Sequence, residues 1–178
     1  MTPQETTGTL LIVEIGSVFL NTLTSRLQSE PYRVVIAPRG KEAERAVRGR
    51  KVDVVLLGLD TLKRDGLTLL RRIKKARPLT EVILINTCEQ LSLSIEGMKL
   101  GAFDDFLVPF DLDAMVRRIR EAFARARSAK TRTGKLLRRY EDAMVAAAFA
   151  EAGEPDMAKD VLEERRALRS EREDETPE

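Results

Sequence analysis

The chain has no histidine and no tryptophan, one cysteine, Cys88, and only two tyrosines and six phenylalanines among 178 residues. Without histidine every His-dependent nucleophile triad is excluded by inventory, and with a single thiol so are the usual zinc sites. A lone cysteine cannot close an internal disulfide, which suits a reducing compartment, and the expected location is cytoplasmic. No apolar run approaches the roughly 20 residues needed to span a bilayer, and the opening MTPQETTG lacks the charged start and apolar stretch of a secretory signal. Charge of one sign is missing too: 31 basic residues face 29 acidic ones. The whole molecule is therefore no polycation built for nucleic acid, and any such role has to be local.

What is present is a regular alternation. Apolar runs at Leu10 to Ile15, Tyr32 to Ala37, Val52 to Leu59, Glu81 to Ile85 and Asp105 to Val108 are rich in Val, Ile and Leu without polar alternation. Such runs predict strands covered on both faces. Between them, helical spacing recurs: Val18, Leu20, Leu23 and Leu27; Ala43, Ala46 and Val47; Leu67, Leu70 and Ile73; Leu91, Ile95, Met98 and Leu100; Leu112, Met115, Val116, Ile119 and Phe123. Gly40, Gly49, Gly66, Pro78, Gly101 and Pro109 fall at the edges of these elements. Strands alternating with helices predict an α/β fold, a (βα)5 doubly wound parallel sheet over residues 8–127, with residues 1–7 disordered.

Three stretches carry a family likeness: LLIVEIGSVFLNTL, VDVVLLGLDTLKRDGLTLLRRIKKARP and EGMKLGAFDDFLVPFDLDAMVRRI. In this order and spacing they resemble the receiver domain of two-component response regulators, over about two-thirds of the chain. The resemblance implies a flavodoxin-like fold, and phosphoryl transfer from a histidine kinase to one aspartate. In that chemistry two carboxylates after the first strand and an acceptor after the third hold Mg²⁺, a hard cation that takes oxygen ligands and offsets phosphoryl charge. A Thr or Ser after strand four and a Lys after strand five contact the phosphate.

Matched position by position, this chain departs from that pattern. The acidic pair falls on Glu14 and Ile15, the acceptor on Gly58, the hydroxyl on Asn86 beside Thr87, and the lysine on Val108. Glycine cannot form an acyl phosphate, isoleucine and valine bring no charge, and Glu14 is left as the remnant of a metal site. The resemblance thus implies a degenerate pseudo-receiver, with no catalytic residue, no phosphoacceptor, no metal and no cofactor. It also implies a cis Val108–Pro109 peptide.

Three residues invite other readings. Asp60 lies two positions beyond Gly58 and reaches the pocket rim if the third strand continues; as loop residues, Asp60 and Asp65 are ordinary turn formers. Glu14 is equally a solvated carboxylate or a partner for a basic neighbour. Cys88 as a redox sensor would need a depressed pKa, which adjacent Glu89 opposes.

Beyond residue 127 the reading is a basic helical linker and helix hairpin over 128–172, then an acidic disordered tail over 173–178. Arg117 to Arg139 includes Arg125, Arg127, Lys130, Arg132 and Lys135, candidate nucleic-acid contacts or simply a solvated face; no aromatic or recognition-helix pattern accompanies them. Gly134 with Thr131 and Thr133 is expected to interrupt the helix. Leu137, Tyr140, Met144 and Ala147 form one stripe of the hairpin, AGEP is a turn stopped by Gly153, and Pro155 opens a second helix bearing Met157, Val161, Leu162 and Leu168.

These features predict a non-enzymatic regulatory protein. Its expected partners are another regulatory protein or a second copy, through the fourth helix, fifth strand and fifth helix and through the C-terminal helices, with a role in gene expression. Two alternatives stay open: an atypical phospho-switch at Asp60, and nucleic-acid binding through residues 117–139.

Overall fold

The branched-aliphatic runs become five parallel strands, β1 (Gly8–Val13), β2 (Tyr32–Ala37), β3 (Val54–Gly58), β4 (Glu81–Thr87) and β5 (Asp104–Val108), in the spatial order β2-β1-β3-β4-β5. The helices are α1 (Ser17–Leu27), α2 (Gly40–Gly49), a single turn α3 (Leu59–Leu62), α4 (Arg64–Ala76), α5 (Leu91–Lys99), α6 (Leu112–Glu151) and α7 (Pro155–Asp174). This computed structural model describes residues 7–153 and 155–174. The expected disorder of residues 1–6 and of residues 175–178 lies outside them. Two compact units result, Met1–Ala129 and Lys130–Glu178.

The first unit is doubly wound because alternate strand residues feed two cores. Leu11, Val13, Val55, Leu57, Val82 and Leu84 point to one face, where they meet Ala43, Val47, Leu70 and Ile73 of α2 and α4. Leu10, Ile12, Val54, Leu56, Ile83 and Ile85 point to the other, against Leu23 and Leu27 of α1 and Met115, Ile119 and Phe123 of α6. Every residue of β3 is buried, which is why its sequence shows no polar alternation.

Several boundaries differ from the sequence expectation, each for a local reason. β1 stops at Val13 because Glu14 turns into the left-handed region at φ 52°. β3 stops at Gly58, and Leu59 to Leu62 coil into α3 instead of a loop. Lys63, at φ 46°, then re-aims the chain into α4. At the N-terminus, Thr7 is tied down, since its backbone N–H donates to the Pro31 carbonyl at 2.7 Å. At the other end, helix α7 extends to Asp174, inside the segment expected to be disordered; Glu and Arg there are adequate helix formers.

Gly134 does not interrupt α6, which runs 40 residues without a break. One interior glycine costs only about 1 kcal/mol relative to alanine, and the Lys, Leu and Arg residues after it favour helix. In the second unit, Gly153 ends α6 at φ 75° and Pro155 opens α7, as the sequence predicts.

Candidate functional site at the carboxyl edge of the sheet

β1 is flanked by β2 on one side and β3 on the other, so the chain changes winding direction between the carboxyl ends of β1 and β3. Doubly wound sheets take their ligands at this place. Here it is occupied by backbone. A Cβ built on Gly58 would lie 2.2 Å from the Glu14 carbonyl oxygen, 3.0 Å from the Glu14 carbonyl carbon and 3.4 Å from the Val13 oxygen. Gly58 itself has an ordinary extended conformation, φ −75° and ψ 118°. Its glycine is therefore required by closeness and not by backbone torsion: the left-handed turn at Glu14 brings its carbonyl against the end of β3.

Glu14 also lines a cleft of about 550 Å³ together with Arg39, Lys41, Glu44, Asp65 and Arg72. Arg72 and Glu44 already pair across it at 2.5 Å. Ile15 goes elsewhere, onto the core face that also holds Phe19, Phe106 and Phe110. Phe110 meets Phe19 edge-on at 4.9 Å and Phe106 at 5.2 Å between ring centroids. Such edge contacts add about 0.5–1.5 kcal/mol each beyond area burial.

Asn86 is fully buried and its amide is used internally. Its Nδ2 donates to the Gln90 carbonyl at 2.7 Å and to Ser94 Oγ at 3.2 Å, while its Oδ1 accepts from the Thr87 backbone N–H at 2.9 Å. The side chain thus holds the start of α5 to the end of β4. Val108 stands 45% exposed before the cis Val108–Pro109 peptide. Asp60 is exposed in the first turn of α3, not on an extension of β3, and exposed Asp65 sits in the first turn of α4. The backbone of Cys88 lies in a 3-10 turn, Cys88–Gln90; its side chain is outside the described residues.

The basic run divides. Arg118 pairs with Asp104 and Glu121, Arg120 with Glu30, and Arg125 with buried Glu81 at 3.1 Å. The guanidiniums of Arg118 and Arg125 lie over the Phe103 ring at 4.8 and 5.4 Å. The hydrogen bond from Arg120 holds the Glu30 carboxyl below its ordinary value, against the opposing effect of burial. Arg125 therefore serves the fold of the first unit. Arg132 and Lys135 are exposed on α6, while Arg127 and Lys130 have partners of their own.

Residues 10–120 match the response regulator receiver domain. The chain belongs to the response regulator receiver family. Among curated relatives, the receiver is 29% identical over 118 residues to the transcriptional regulatory protein ZraR of Klebsiella oxytoca, covering 66% of this chain and 27% of that one. It is 31% identical over 147 residues to the transcriptional regulatory protein GlrR of Escherichia coli, covering 78% and 33%. The chain thus spans about a quarter to a third of the length of these relatives. Among solved structures, a response regulator from Thermotoga maritima matches at TM-score 0.60 and 26% identity, covering 66% of this chain and 98% of that one. The signal receiver domain of an HD domain-containing protein from Pseudomonas fluorescens matches at TM-score 0.65 and 27% identity, covering 70% and 93%.

The family implies a Mg²⁺ ion at this edge, and the residues present do not fit one. A hard cation needs several convergent oxygen ligands, whereas this place offers one carboxylate, Glu14, with isoleucine, glycine and an aromatic group. Among the described residues no three His, Cys, Asp or Glu side chains gather as a metal set. Two features were missed by sequence reasoning: the Glu14 carbonyl closing on Gly58, and the Phe19, Phe106 and Phe110 cluster. The second had a signal, since three phenylalanines fall just after β1 and around the end of β5.

Proposed function

We propose that this receiver is a phosphorylation-independent, non-enzymatic signalling module that acts by protein contact in the regulation of gene expression, in the cytoplasm. One observation carries the reading: backbone stands 2.2 Å from where the Cβ of any acceptor at position 58 would lie. An aspartate cannot be accommodated there without moving the end of β1. Among the described residues, no helix is long and apolar enough to cross a membrane, which agrees with a module that works in water.

The contact surface we infer is the exposed face of α5 with the end of β5. Leu91, Ile95 and Met98 recur at helical spacing and are 41–52% exposed, and Val108 at the end of β5 is 45% exposed. Contiguous exposed apolar side chains of this kind mark interaction sites. The domain boundaries we propose are a receiver over 8–127 and a helical extension over 128–172. A nucleic-acid role for residues 117–139 is weakened by the ion pairs that hold Arg118, Arg120 and Arg125 within the receiver.

The test is amide-resolved NMR of the full chain during titration with Mg²⁺ and then with acetyl phosphate. The reading expects no localised shifts at the carboxyl ends of β1, β3 and β5. Saturable shifts centred on Glu14, Gly58 or Asp60 would overturn it.

A further inference from the structure

The outward sides of α2 and α4 carry charge of one sign. Residues 39–77 hold thirteen basic residues against five acidic ones, in a chain whose totals are 31 and 29. Both helices cover the same face of the sheet and pack on each other. α2 buries Ala43 and Val47, which at 3.6 residues per turn leaves Lys41, Arg45 and Arg48 on its outer line. α4 buries Gly66, Leu67, Leu70 and Ile73, leaving Arg64, Thr68, Arg71 and Lys75 outermost. All of these outer residues are exposed. Acids are kept off both lines: Glu42 and Glu44 are partly buried, Glu44 pairs with Arg72 at 2.5 Å, and Asp65 stands to one side at the start of α4. Among the described residues none of the six outer cations has an acidic partner. Like charges repel at this spacing, Lys41 with Arg45, Arg45 with Arg48, and Arg71 with Lys75. A merely solvated face interleaves the two signs instead.

We propose that the α2–α4 face docks on the phosphate backbone of double-stranded DNA without reading its sequence. The charge is complementary and so is its layout. Cations about 5–6 Å apart along each helix, in two rows about 8–10 Å apart, meet a polyanion that carries one charge per about 1.7 Å of its axis. Four of the six are arginines, whose planar fork binds phosphate through two hydrogen bonds. Two helices side by side, each about 10–12 Å across, are too wide for a major groove of about 12 Å, so the face rests on the backbone and not on base edges. Residues 39–77 contain no aromatic side chain, which removes the stacking platform that single strands require. None of the exposed large apolar side chains among the described residues belongs to α2 or α4, so the face has nothing to insert into a lipid surface. This inference stands apart from the α5 contact face and from the phosphorylation-independent reading.

The test is fluorescence anisotropy, titrating the full chain into two unrelated labelled DNA duplexes of about 20 base pairs at about 50 to 200 mM salt, without Mg²⁺ or phosphodonor. Both duplexes should bind equally, and log K should fall against log salt with a slope of about −4, as expected when four or five phosphates are neutralised. Arg45→Glu with Arg71→Glu should weaken binding at least about tenfold and flatten the slope to about −2. Its melting temperature should be unchanged, because both side chains are exposed. Arg45→Lys with Arg71→Lys keeps the charge and should bind within about threefold of the wild type. Arg132→Glu with Lys135→Glu on α6 should lose less than the α2–α4 reversal does. A wild type that binds neither duplex, undiminished binding in the α2–α4 reversal, or a greater loss in the α6 reversal would each overturn the proposal. Tighter binding to phosphatidylserine vesicles, or to a duplex RNA of the same length, would overturn it too by assigning the face to lipid or to RNA. None of these outcomes bears on the phosphorylation-independent reading, since no phosphodonor is present.

Discussion

Restoring the acceptor should break the fold before it restores any chemistry. In Gly58→Asp the new Cβ meets the Glu14 carbonyl oxygen at 2.2 Å and its carbon at 3.0 Å, and both are backbone. No rotamer change relieves such a contact, so β1 or β3 must shift at the centre of the sheet. Overpacking of a tight site costs about 1–3 kcal/mol. Placing a carboxylate against a carbonyl oxygen at a buried position adds the cost of an unpaired charge, taking the total to about 4 kcal/mol or more. For a chain of this size each kcal/mol moves the melting temperature by about 2–4 °C, so a drop of about 8–16 °C is expected. Gly58→Ala isolates the steric part and should lose about 2–3 kcal/mol. The assay is urea unfolding followed by far-UV circular dichroism, with a thermal melt beside it. If Gly58→Asp unfolds within about 0.5 kcal/mol of the wild type, the range of an innocuous surface change, the closure argument is wrong.

The remaining predictions are smaller in scope. Asn86→Thr, which returns a hydroxyl to the family position, should destabilise by about 2–4 kcal/mol in urea melts, because the partly buried Thr87 N–H and the buried Ser94 hydroxyl lose their amide partner. Gly134→Ala should stabilise by about 0.4–1 kcal/mol, since α6 passes straight through and the added methyl meets only Arg138 Nη2 at 3.9 Å; a loss of stability would mean that the helix breaks there. Glu30 is held below its ordinary value of 4.5, so its contribution is complete above that pH and is lost as the pH falls through the lower folded value. Between pH ~6 and ~3 the urea midpoint of Glu30→Gln should therefore fall less than that of the wild type. Ile95→Glu should stay within about 0.5 kcal/mol of wild-type stability because its side chain is exposed, while losing partner contact in a binding assay.

Much of the fold was legible because its signals are local and redundant. A strand buried on both faces must be apolar throughout, and β3 reads that way from the sequence alone. The turn at Gly153 and the start at Pro155 follow from the chemistry of two residues. The sequence also offered Ile15, Gly58, Asn86 and Val108 as places to compare with the family pattern. What those residues do in space was not legible there. That Glu14 turns left-handed depends on how β1 ends against β3, a long-range matter that no local pattern encodes. The coiling of Leu59 to Leu62 was hidden by a strand-like run that continues past Gly58. The stripe on α6 was read at its helical spacing, but what covers it was not, because periodicity names a face without naming what covers it.

The central claim is that no aspartyl phosphate forms on this receiver. Intact-protein mass spectrometry after incubation with acetyl phosphate and Mg²⁺, beside an ordinary receiver handled identically, tests it most directly. The account predicts an unchanged mass for this chain while the comparison protein gains a phosphoryl group. A gain of one phosphoryl group that maps to Asp60 and disappears in Asp60→Asn would contradict the account and restore a phosphorylation switch at the start of α3.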